Sequence, residues 1–133
     1  MSNRLVLEWI RFADNDLRSA NHLLTLHPQH LELICYLCQQ STEKYLKAFL
    51  VAHDVEPPKI HNLVKLQKLC LSYDATFAEI SDQCDSLTDY GVQPRYPDEL
   101  EFNDTLTQKA LAYAQQIKNF APLQNLRETE GEN

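Results

Sequence analysis

The side chains best suited to chemistry in this sequence fall in two short stretches. Arg95 and Tyr96 stand in the segment Gly91-Val92-Gln93-Pro94-Arg95-Tyr96-Pro97. An arginine in a proline-bounded loop beside a tyrosine offers a fixed planar fork of donors to a phosphate. The competing reading is an ion pair with Asp89 or Asp98. The second stretch carries Lys44 and Lys47, with His61 further along. A histidine at a helix start either faces a pocket together with those lysines or serves as a local hydrogen-bond anchor. Gln40 and Glu43 share the same polar sector, which by itself reads as a solvated helix face.

Two other groups have spacings that suggest metal. Cys35-x-x-Cys38 lies within a helical pattern with no glycine turn, so packing in a core is the expected role, as for Cys70 and Cys84. His22, His27 and His30 gather around His27-Pro28-Gln29-His30 without a carboxylate or cysteine nearby, and the helix register breaks between them. No metal and no cofactor is expected at either place.

The elements that position these residues follow from hydrophobic spacing. Leu5, Trp9, Ala13, Leu17, Ala20 and Leu24 recur at intervals of three and four and predict a first helix over 4–27. Its other face carries Arg4, Arg11 and Arg18 among acidic partners and reads as solvated. Pro28 ends that helix, and the short connection returns the chain antiparallel. From Ile34 to Ala52 a wide apolar stripe is joined by Leu46 and Leu50, which lie well off it, so protein is expected on nearly every side of this central helix. Only Tyr36, Gln40, Glu43 and Lys47 form a polar sector.

After the stiff Pro57-Pro58 connection, Asn62 is a candidate cap for a short helix carrying Leu63, Leu66 and Leu69. Asp74 or Thr76 can cap a fourth helix on Phe77, Ile80, Cys84 and Leu87. Gly91, Pro94 and Pro97 break the chain before a last helix that starts at Asn103 or Asp104 and runs to about Phe120. The expected fold is all-α, an antiparallel up-and-down bundle of four long helices plus one short helix. It forms a single domain over 1–122, followed by an acidic, disordered tail over 123–133.

Composition supports this reading. A chain of 133 residues with two glycines has few of the tight turns that sheets need. No apolar run is long enough to span a bilayer and no signal segment is visible, so a cytoplasmic protein away from membranes is expected. The net charge of −7 argues against general nucleic-acid binding. Charge is nevertheless segregated, with five lysines between Lys44 and Lys68 and nine carboxylates between Asp74 and Asp104.

Four motifs in order resemble the HEPN domain family (higher eukaryotes and prokaryotes nucleotide-binding). Ala13-Asp14-Asn15-Asp16-Leu17-Arg18-Ser19-Ala20 resembles its first-helix motif, and Gln39-Gln40-x-x-Glu43-Lys44-x-x-Lys47-Ala48 its strongest signature. His61-Asn62-Leu63 and Arg95-Tyr96-Pro97-Asp98 resemble two further ones. The resemblance spans about residues 5–120 and implies a helical bundle, frequent homodimers and frequent pairing with a minimal nucleotidyltransferase in toxin-antitoxin systems. Many members are metal-independent ribonucleases marked by an arginine followed after four to six residues by a histidine. Here Leu100, Glu101 and Phe102 stand where that histidine would fall, and none of them replaces imidazole as a proton carrier.

The expected function is accordingly a non-catalytic module. It binds a nucleotide or RNA phosphate through Arg95, Tyr96, Lys44, Lys47 and His61, and acts as a homodimer with Tyr90 and Tyr96 near the interface. The alternative is a divergent ribonuclease using Arg95 with Tyr96, Glu101 or His61.

Overall fold

A computed structural model describes residues 3–91 and 101–132, with side chains described through residue 128. Among the described residues every regular element is helical. In order these are α1 (Asn3–Leu23), α2 (Leu31–Ala52), α3 (Leu63–Leu71), a 3-10 turn (Ala75–Ile80), α4 (Ser81–Leu87), a second 3-10 turn (Thr88–Tyr90), α5 (Asp104–Lys118), α6 (Ala121–Gln124) and a 3-10 stretch (Asn125–Glu132).

α2 is the centre of the bundle, in contact with every other α-helix. Its enclosure follows from its composition: Ile34, Cys38, Tyr45, Leu46, Ala48, Phe49, Leu50 and Val51 are all buried, and they point in nearly every radial direction. Each large apolar side chain removed from water in this way contributes roughly 2 kcal/mol. α1 packs along α2 with Ala13 and Ala20 fully buried, small residues that let the two backbones approach closely. The Ser41 hydroxyl donates to the Ala13 carbonyl at 2.8 Å across that contact. Phe77 meets Phe49 in a tilted contact and Phe120 edge-on, which joins α2 to the first 3-10 turn and to the start of α6.

The caps are those that the sequence offers. Asn62 accepts from the Lys65 amide, Asp74 from the Thr76 amide and Asn103 from the Leu106 amide. All four cysteines are free and buried. Burial pushes the Cys70 and Cys84 thiols up to about 12, as expected of packing residues rather than ligands or nucleophiles.

The structure departs from the sequence reading in several places. α1 ends at Leu23, ahead of the proline, in turns closed by Leu24, Thr25 and Leu26 amides onto the Asn21, His22 and Leu23 carbonyls. The fourth element is not one long helix but seven α-helical residues between two 3-10 turns. Ala52, placed on the apolar stripe, is exposed. Beyond α5 the chain forms one further short helix, α6, with Pro122 in its first turn. Leu123 and Leu126 are buried and Arg127 is tied to α1, so the stretch expected to be disordered from 123 begins as part of the packed structure.

Candidate functional site

The polar sector of α2 is largely withdrawn from solvent, with Glu43 and Lys47 buried and Tyr36 and Gln40 half-buried. Gln39, Glu43 and Lys47, spaced four residues apart, stack on one helix face and are all buried. Glu43 is the hub. Its Oε2 accepts from Lys47 Nζ at 3.0 Å, and its Oε1 accepts from His61 Nδ1 at 3.0 Å and from Gln39 Nε2 at 3.3 Å. Gln39 Nε2 also donates to the His61 carbonyl at 2.9 Å, and Gln40 Nε2 donates to Gln39 Oε1 at 2.6 Å. Since a carboxylate accepts and does not donate, His61 carries its hydrogen on Nδ1 in this contact and directs Nε2 away.

Local sequence explains why the histidine lands there. Asn62 caps α3, and the Leu63 amide donates to the Thr88 hydroxyl at 2.9 Å, so the residue before the cap is held against α2. The His61 ring itself remains two-thirds exposed. Its position matches the anchoring role that a helix-start histidine can take.

Lys44 faces the other way. It forms an ion pair with Asp16 on α1 and shares no partner with Lys47 or His61. Two residues earlier on α1, Asp14 accepts the Tyr45 hydroxyl and both arms of the Arg127 guanidinium, the latter at 2.7 and 2.6 Å. Burial acts to raise the Asp14 carboxyl, but the hydrogen bonds from Arg127 and Tyr45 and the Arg127 charge outweigh it and hold the group below its ordinary range. The ligand-binding residues expected from sequence therefore divide between two carboxylates instead of lining one cavity. Arg95 and Tyr96 lie outside the described residues. Tyr90 is half-buried, its ring packed beside Phe102.

An open groove of about 480 Å³ adjoins the Glu43 cluster, lined by Leu5, Trp9, Lys47, Glu56, Pro57 and Lys59. Lys47 Nζ lies 5.9 Å from the centre of the Trp9 ring, so the same ammonium ends the buried cluster and begins the groove. Trp9, Glu56 and Lys59 had no distinguishing signal in the sequence, since a tryptophan at helical spacing reads as core. Among the described residues no group of three or more His, Cys, Asp or Glu side chains can hold a metal ion, the region of His22, His27 and His30 included. No described helix is long and apolar enough to cross a membrane.

An all-helical bundle whose second helix presents a Gln-Gln-x-x-Glu-Lys-x-x-Lys run to a histidine at the start of a short helix is the class of protein that this geometry defines. The chain belongs to the HEPN domain family, whose model matches residues 6–126. In fold it is similar to TT1696 from Thermus thermophilus, with a TM-score of 0.77 and 24% identity over 94% of this chain and 99% of the other. Comparison with curated proteins gives no match.

Proposed function

We propose that this protein is a non-catalytic HEPN-type module that binds a nucleotide or RNA phosphate, acts as a homodimer in the cytoplasm, and works through a minimal nucleotidyltransferase in a toxin-antitoxin-like pair. The observation that carries the non-catalytic part is the lack of any arginine with a histidine at the ribonuclease spacing. His61 bonds Glu43 beside Lys47 and Gln39, a contact that suits an anchor between α2 and α3 while leaving its other ring nitrogen exposed. Dimerisation and the nucleotidyltransferase partner rest on family membership. Arg95 and Tyr96 are retained as the phosphate-recognising pair, on the strength of the loop motif.

The test is incubation of the purified protein with labelled RNA in the absence of metal, beside an Arg95→Ala variant, with cleavage and retention of RNA both measured. The expected outcome is binding without cleavage, weakened by the substitution. Arg95-dependent cleavage would replace this reading with the divergent ribonuclease. A strictly monomeric mass at micromolar concentration in solution scattering would remove the homodimer.

A further inference from the structure

α1 turns a stripe of large apolar side chains outward. Leu5, Trp9 and Phe12 recur at intervals of four and three, so they fall within about 60° of one another around the helix. Leu5 and Phe12 are 43% and 46% exposed, and Trp9, between them in sequence, is half-buried. With Glu8 these residues line one depression, and Leu5 and Trp9 continue into the groove walled by Pro57. The apolar face is thus continuous from Phe12 to Pro57. Soluble chains rarely leave a concentrated apolar stripe in water unless something covers it.

Charge selects the occupant. The chain carries a net −7, so two copies repel over most of their surface. The stretch from Asp74 to Gly91 exposes Glu79, Asp82, Asp85 and Asp89 and contains no lysine or arginine. Around the α1 stripe the signs cancel instead: Glu8 is paired with Arg11 at 2.8 Å and lies in the field of Arg4, Lys47 is neutralised by Glu43, and Glu56 stands beside Lys59. A basic partner would be drawn to the acidic stretch, whereas an acidic chain such as this one meets least repulsion at α1. A face that is apolar in the middle and charge-balanced at the rim therefore suits a second copy of the same chain.

The stripe is also nearly symmetric about its centre. Leu5 and Phe12 lie one turn to either side of Glu8 and Trp9, so two α1 helices packed antiparallel about a two-fold axis set each Leu5 against the Phe12 of the second copy.

We propose that the Leu5, Trp9 and Phe12 face of α1 is the homodimer interface, packed antiparallel on the same face of a second copy. The proposal rests on the homodimer reading above and moves the contact away from Tyr90, whose ring is half-buried beside Phe102. A stripe of three side chains with a proline wall is a small contact, so dissociation in the micromolar range is expected.

Sedimentation equilibrium of the intact protein, read beside the emission of its single tryptophan, tests the interface. The mass should rise from monomer to dimer with concentration, and Trp9 emission should move to shorter wavelength over the same range as the ring leaves water. Added salt should tighten association by screening the repulsion between like-charged chains. Leu5→Lys and Phe12→Asp should each weaken dimerisation about tenfold or more, with an unchanged circular dichroism spectrum because both side chains are exposed. Mixing the two variants should restore association: one antiparallel contact then sets the introduced lysine against the introduced aspartate, and the other keeps Phe12 against Leu5.

A dimer of unchanged affinity in both variants would overturn the α1 interface and leave the homodimer standing, with its contact elsewhere. Weakened variants that fail to restore each other would overturn the antiparallel pairing. A parent protein that stays monomeric throughout would remove both the interface and the homodimer. If the Trp9 shift then appears only with a different protein chain, the face belongs to that partner and the proposal falls.

Discussion

Two carboxylates on neighbouring helices each gather several donors, and they do different work. Glu43 is nearly inaccessible and takes its partners from close in sequence: Gln39 and Lys47 one turn away on its own helix, and His61 eighteen residues on. Asp14 is more open and takes its partners from far away, Tyr45 on α2 and Arg127 near the end of the chain. The first cluster fixes a connection between two consecutive helices and, through Lys47, one wall of the groove. The second closes the chain end onto the first helix. A buried hub of this sort is costly to break because its partners cannot rehydrate, whereas a half-exposed one loses mainly its own hydrogen bonds.

The largest expected effect therefore comes from Glu43→Ala, which leaves the buried Lys47 ammonium without its carboxylate. It should cost about 3–5 kcal/mol in urea unfolding, as breaking one side of a buried pair does. A cost comparable with that of a surface pair would break the distinction between the clusters.

Arg127→Ala is expected to cost less, about 1–2 kcal/mol, because the pair is partly exposed. Its effect should also depend on pH. The folded-state value of Asp14 lies below the ordinary 3.8, so the stabilisation is present above that value and is lost as pH falls through the lowered one. The difference between the variant and the parent protein in unfolding free energy should be full near neutrality and shrink in acid. A difference independent of pH would mean that Arg127 acts through packing and not through Asp14.

The smallest effect belongs to His61→Ala. The ring is mostly exposed and Glu43 keeps Lys47 and Gln39, so a loss under about 1 kcal/mol is expected in the same unfolding measurement. A loss as large as that of Glu43→Ala would make the histidine the centre of the cluster and sharpen its claim to a role beyond anchoring.

Much of this architecture could be read along the chain. Helical periodicity located α1, α2, α3 and α5, because each depends on the spacing of its own apolar side chains; Asn62 was legible as a cap by type and position, while Asp74 and Asn103 were each one of two candidates. Leu46 and Leu50, off the main stripe, already marked α2 as enclosed. Glu43 and Lys47 share that enclosed helix, but their polar types are those of a solvated face, and only the packing of the neighbouring segments shows them buried. Arg127 gave no local signal, since its partner lies 113 residues away. Residue types in the last segment are polar enough to suggest disorder, while two leucines, Leu123 and Leu126, suffice to seat it.

The sequence by itself thus determined the helical class, the central place of α2 and the motifs of the family, because these follow from periodicity and residue order within single segments. Tertiary structure alone decided what the motif residues do. Burial turned the α2 polar sector into a clamp on His61, sent Lys44 to Asp16 and Lys47 to Glu43, and set Trp9 beside Lys59 across a groove. Such pairings depend on which helix faces meet, and that is a property of the packed bundle rather than of any one stretch of chain.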